Sequence, residues 1–107
     1  MITRSQLYTA RLSLGLSANA LARLAGVAPH TVLNLESGAD FRASSMEALE
    51  STLRAKGVLF SSKGHVGVKM VWAPGSRPEN AQIREAVLGV LNADRATRNQ
   101  APFVEID

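Results

Sequence analysis

Residues 17–38, SANALARLAGVAPHTVLNLESG, constrain this chain more than any other stretch. A small residue, Ala22, stands four positions before a glycine, Gly26. Apolar residues follow at Val27, Val32 and Leu35, and Glu36 lies two residues before a second glycine, Gly38. Two short helices meeting at a sharp angle need this arrangement. Ala22 lets the second backbone come close, and Gly26 supplies the positive φ that a Cβ would penalise. Val27, Val32 and Leu35 then turn one face of the second helix toward a core.

The remainder supplies that core. With 107 residues, 46% of them hydrophobic, the chain suits one domain with a modest interior. Thr3, with Gln6 three residues on, makes a capping box that opens a first helix. Leu7, Leu12 and Leu14 anchor this helix and Gly15 ends it. Ser17 caps the second helix, with Leu21 and Leu24 expected to point inward. A third runs from about Pro29, tolerated in a first turn, to Glu36 or Ser37. Residues 39–43 read as a loop. Ser44 and Glu47 form a second capping box before a helix with Met46, Leu49 and Leu53 at helical spacing, and Gly57 closes it.

The period then changes. Val58, Leu59 and Phe60 read as a strand, residues 61–64 as a turn, and residues 65–72 as a second strand in which Val66, Val68, Met70 and Trp72 share a face. APGSRP, residues 73–78, is a linker. A helix over about residues 78–96 carries Ile83, Val87, Val90, Leu91 and Asp94 on one stripe, and a short extended tail follows over residues 103–106. The expected fold class is mainly α (α+β): four helices, a small β-hairpin and a C-terminal helix. Residues 1–72 form the first unit, and residues 79–107 a helix and tail.

With ARLSLGLS before it and SSMEALESTLRAKGVLF after it, the opening stretch resembles the Cro/repressor-type (XRE-like) helix-turn-helix family over residues 3–70. The resemblance implies double-stranded DNA binding, with the third helix in the major groove and the N-terminus of the second against a phosphate. It places Ala28, Pro29, His30, Leu33 and Asn34 toward the groove, and Ser17, Asn19, Thr31 and Arg42 near the backbone. It also pairs Arg11 with Glu36, locking the third helix to the first.

The departures are informative. Ala18 and Ala28 stand where the family usually has Gln and a polar residue, and Pro29 and Leu33 where polar or basic residues are frequent. Asn34 suits adenine and His30 can donate or accept, but no arginine on this helix is placed for guanine. Base readout is therefore expected to be sparse, leaning on thymine methyls and DNA shape. A face that binds protein instead stays open.

Charge follows the same division. The net charge is +3, and residues 1–35 hold Arg4, Arg11 and Arg23 with no acid. Through Met70 there are eight bases and four acids; from Val71 onward there are four and five. The surplus sits where a phosphate-facing module needs it. With no cysteine and only His30 and His65, no metal pattern emerges and no cofactor is expected. Residues 61–64 are turn composition rather than a phosphate loop, and Glu47 and Glu50 read as a solvated charged face. No enzyme motif appears. Neither a signal segment nor an apolar run of about 20 residues is present, so a soluble, cytoplasmic protein is expected.

The resemblance thus implies a transcriptional regulator, a dimeric repressor on an inverted repeat. The stripe Ile83, Val87, Val90 and Leu91, with Trp72, is the expected dimerisation element; folding back of the stripe onto the hairpin is the alternative. Two other functions fit the same residues. One is an antitoxin or anti-activator whose C-terminal segment binds a partner protein; the other is a protein-interaction module without DNA binding.

Overall fold

The computed structural model describes residues 1–39 and 42–106. Part of the loop expected over residues 39–43, and the final residue of the tail, lie outside the described residues. Four helices come first: α1 (Arg4–Ser13), α2 (Ala18–Ala25), α3 (Pro29–Ser37) and α4 (Ala43–Ala55). They are followed by β1 (Val58–Phe60), β2 (Val66–Lys69), α5 (Ala81–Thr97) and β3 (Phe103–Val104). The mainly α class holds, with a small sheet added.

The capping box at Thr3 forms as the sequence predicts. The Thr3 hydroxyl accepts from the Gln6 backbone amide at 3.1 Å and the Gln6 side-chain oxygen Oε1 accepts from the Thr3 backbone amide at 2.9 Å. Gln6 is buried, and its amide nitrogen donates to the carbonyls of Ser61 and His65 at 2.9 and 3.1 Å. One side chain therefore caps α1 and fastens it to the hairpin turn, and its own polar atoms are paired in doing so.

Leu7, Leu21, Val32, Leu35, Met46, Leu49, Leu53 and Val58 fill the core where the four helices and β1 meet. Ala10 and Ala22 are fully buried too, so the helices approach closely at both. Leu24 departs from expectation. It is 49% exposed, because α2 buries Ala18, Leu21 and Ala22 and the stripe continues through Ala25. Leu24 lies on the flank of that stripe, about 100° from its centre.

The second capping box is also corrected. α4 begins at Ala43 with Arg42 as N-cap and no side-chain cap bond, so Ser44 already lies within the helix. Glu50 is more than a solvated charge. One carboxylate oxygen accepts from the Ile2 amide at 3.0 Å and the other from the Arg54 guanidinium at 3.0 Å, tying the N-terminus to α4. Glu47 is exposed.

The second strand is shorter than expected, and the sheet is larger. β1 and β2 pair antiparallel, with Val58 opposite Val68 and Phe60 opposite Val66. The expected tail is a third strand, β3, parallel to β2, with Val68 opposite Phe103. The Val68 amide donates to the Pro102 carbonyl at 2.9 Å, and that of Met70 to the Val104 carbonyl at 2.8 Å. Gly67 is buried under Val104, whose methyl occupies the space a Cβ would need. Parallel pairing requires a crossover, and α5 is that crossover.

α5 starts at Ala81, later than the stripe alone suggests, because Asn80 caps it by accepting from the amides of Gln82 and Ile83. Three polar side chains hold the helix and tail in place. Asn92 pairs both ways with the Phe103 backbone, at 2.7 and 3.1 Å, as a neighbouring strand would. Arg95 donates to the Ala101 carbonyl at 2.6 Å and to the Ser13 carbonyl at 2.9 Å, with its guanidinium 4.1 Å from the Phe103 ring. Glu105 accepts from Arg77 at 2.7 Å and lies 3.4 Å from Arg84. Ala101 is buried, with its amide donating to the Ser13 hydroxyl. Residues 95–105 thus belong structurally with the first 72. No residue of α5 itself is buried. The molecule measures 47 × 25 × 23 Å.

Candidate nucleic-acid interface

The site is the unit formed by α2, the turn at Gly26 and α3. Ser17 is extended at φ −72°, and its hydroxyl accepts from the Ala20 amide at 3.0 Å, which sets the start of α2. Gly26 has φ 72° and ends α2 with the Val27 amide bonded to the Ala22 carbonyl at 3.0 Å. Nothing lies within 4 Å of the place a Cβ would take, so Gly26 is required for its backbone angle and not for room. Gly38, at φ 79°, is likewise required for its backbone angle. The Arg4 guanidinium lies over it, a flexible side chain that could move aside for a Cβ.

α3 is two-sided. Val32 and Leu35 are fully buried, and the opposite side shows Ala28, Pro29, His30 and Leu33 exposed, with Leu33 at 54%. Thr31 and Asn34 are half-buried at the edges. Ala28 is the N-cap and has no side chain to accept a bond, so the first turn of α3 lacks the usual side-chain partner for its free amides. Asn19 is exposed on α2, and Arg42 is exposed at the start of α4.

Arg11 and Glu36 meet in a two-pronged pair, Nε to Oε2 at 2.7 Å and Nη2 to Oε1 at 2.9 Å. A third donor, Nη1, reaches the Leu16 carbonyl at 3.1 Å, and the Tyr8 ring lies 5.5 Å away. The side chains are 11% and 8% exposed. The hydrogen bond to Glu36 raises the pKa of Arg11 against the opposing effect of burial. One guanidinium therefore joins α1, the loop after it and the C-terminal turn of α3. The orientation of α3 on the body is set there.

Sequence reasoning did not single out Arg4. Its place over Gly38 adds a cation at the C-terminal end of α3, the end from which the chain continues toward Arg42. Nothing in the local sequence of α1 signals this, because the contact spans 34 positions. Of the residues expected to form a dimer, Trp72, Val87 and Leu91 are half-buried while Ile83 and Val90 are exposed at 52% and 72%. They lie apart from the α2–α3 unit, on β2's continuation and α5. Among the described residues no helix is long and apolar enough to cross a membrane. Comparison of the chain with protein-family models, with curated proteins and with solved structures finds no match in any of the three.

Proposed function

We propose that this chain is a double-stranded DNA-binding transcriptional regulator of the cytoplasm, acting by occupancy rather than catalysis, with α3 seated in the major groove. The observation that carries the reading is the two-sidedness of α3. Its inner side is committed to the core, its orientation is clamped by Arg11 and Glu36, and its outer side meets solvent. A helix presented in this way fits a groove that admits one helix. The basic surplus of the first 70 residues supports the same reading.

In this arrangement His30 and Asn34 face base edges, while Ala28, Pro29 and Leu33 make apolar contact. Ser17, Asn19, Thr31 and Arg42 lie along phosphates, joined by Arg4. One helix covers only a few base pairs, so two copies about 34–36 Å apart on an inverted repeat multiply affinity, and a repressor is the simplest outcome. A salt titration on random DNA, followed by selection of bound fragments, tests this. Each lost phosphate contact flattens the log–log salt slope by about one, which is expected for Arg42→Ala. His30→Ala and Asn34→Ala should weaken specific sites by about 1–3 kcal/mol and leave random DNA nearly unchanged. Binding with no salt dependence refutes the reading.

The exposure of Leu33 favours a second reading, an antitoxin or anti-activator that contacts a partner protein. Co-purification of a second polypeptide that shields Leu33 would select it.

A further inference from the structure

We infer, granting the DNA reading on which this rests, that the outer side of α3 recognises the C5-methyl group of pyrimidines in the major groove. It takes thymine or 5-methylcytosine at the position under Leu33 and discriminates against unmethylated cytosine there.

The first support is the polar inventory of α3. Guanine is read by arginine or lysine at its O6 and N7, and cytosine by a carboxylate at its N4 amine. α3 has neither lysine nor arginine, and its one carboxylate, Glu36, is 8% exposed and bound at both oxygens by Arg11. Ser37 is turned back on the helix, its hydroxyl donating to the Asn34 carbonyl at 3.2 Å. Of the side chains placed toward base edges, His30 and Asn34 are the polar ones, and Asn34 suits adenine. The bidentate contact to guanine and the carboxylate contact to cytosine are therefore both missing from this helix.

The second support is the apolar row beside them. Pro29 and Leu33, four positions apart, lie one above the other on the exposed side, with Ala28 next to them and Leu33 54% exposed. A lone exposed leucine needs no explanation. Here the exposed row is apolar over consecutive turns, and the Arg11–Glu36 pair fixes the helix so that Leu33 cannot roll inward. Of the groups that base pairs present in a major groove, the C5-methyl is the apolar one. Leu33 gains by covering it and gains nothing over a carbonyl or an amine. The polar row through His30 and Asn34 is set about 100° round the helix from the apolar row. One row can therefore lie on pyrimidine methyls while the other meets an adenine edge.

The third support is chemical equivalence. Thymine and 5-methylcytosine carry the methyl on the same ring carbon. They differ at C4, a carbonyl in one and an amine in the other, and a leucine side chain hydrogen-bonds to neither. A C·G pair under Leu33 is therefore a poor site until its cytosine is methylated, and occupancy of such a site follows cytosine methylation.

The experiment uses the full chain and a fragment that it selects from random-sequence DNA. Each thymine of the protected segment is replaced in turn by uracil, or its pair by C·G or 5-methylcytosine·G, and affinities are compared at fixed salt. Uracil removes the methyl and no hydrogen-bonding group. At the thymine under Leu33 it should weaken binding about four-fold, the worth of one covered methyl. Cytosine should weaken binding at least as much, and 5-methylcytosine should restore most of that loss. Leu33→Ala, at an exposed position, should melt as the wild type does and bind the thymine and uracil duplexes equally. Equal wild-type affinity for thymine and uracil at every position overturns the inference and leaves the DNA reading standing. A Leu33→Ala protein that keeps the preference for thymine does the same, and 5-methylcytosine no better than cytosine overturns the equivalence. Failure to hold any duplex even at low salt overturns the DNA reading and the inference together.

Discussion

Removing Glu36 is the most direct test of how α3 is held. In Glu36→Ala the Arg11 guanidinium, 11% exposed, loses both of its carboxylate bonds. What remains is one backbone acceptor, the Leu16 carbonyl, and the face of Tyr8. Breaking a buried pair by deleting one partner costs about 3–5 kcal/mol, because the other charge is left uncompensated. The surviving contacts and residual exposure of Arg11 place the expected loss near the low end, about 3 kcal/mol. For a domain of this size that lowers Tm by roughly 10–20 °C. Urea unfolding of the wild type, Glu36→Ala, Arg11→Met and the double variant gives the coupling energy directly. The double variant should recover much of the loss, since it strands no charge. A coupling below about 0.5 kcal/mol would refute the argument, because that is the scale of an exposed pair. A second readout separates stability from orientation: at temperatures where Glu36→Ala is still folded, its affinity for a selected DNA site should fall by more than its affinity for random DNA.

Other contacts carry their own tests. The Glu50 carboxyl is held below the ordinary glutamate range by its bond to Arg54 and, secondarily, by the Ile2 amide, which together outweigh burial. A depressed folded pKa stabilises the protein above the unfolded value of about 4.3 and is lost as pH falls through the folded one, so Glu50→Gln should flatten the decline in the urea midpoint below about pH 5. Ala28 already has extended geometry, φ −65° and ψ 145°, so Ala28→Ser should supply the missing cap of α3 and raise stability by about 0.5–2 kcal/mol; an unchanged Tm would show that those amides are satisfied otherwise. Arg95→Met removes the bonds to the Ala101 and Ser13 carbonyls, and hydrogen exchange should then speed up at the Val68 and Met70 amides, which bond to the tail, while core helix amides keep their protection.

Much of the first 60 residues can be read from local chemistry. Thr3 with Gln6, Ser17, Gly26 and Gly38 act within four or five positions of themselves, and caps and left-handed turns need nothing further away. The buried stripe Met46, Leu49 and Leu53 is a matter of helical period, and Val58 to Phe60 of the change in period after Gly57. The pairing of Arg11 with Glu36 is legible only through resemblance to a family pattern; spacing alone does not contain it. Leu24 shows where a period fails: a leucine at the edge of a stripe goes in or out according to what packs beside it, and here Ala25 takes the place.

The C-terminal third is a different case. Residues 103–106 read only as extended, because a two-residue strand has no period of its own. What makes them a strand is the free edge of β2, the Asn92 side chain that mimics the next strand, and Arg95 reaching across 82 positions to the end of α1. The same is true of Arg4 over Gly38 and of Glu50 beneath the Ile2 amide. Caps, glycine turns and apolar period act over a few residues, so the helices, their ends and the two-sidedness of α3 are written into short stretches of chain. Which side chains tie distant segments together, and which face of α5 stays open, depends on contacts between residues tens of positions apart. No local pattern records those contacts, and they exist only once the chain has folded.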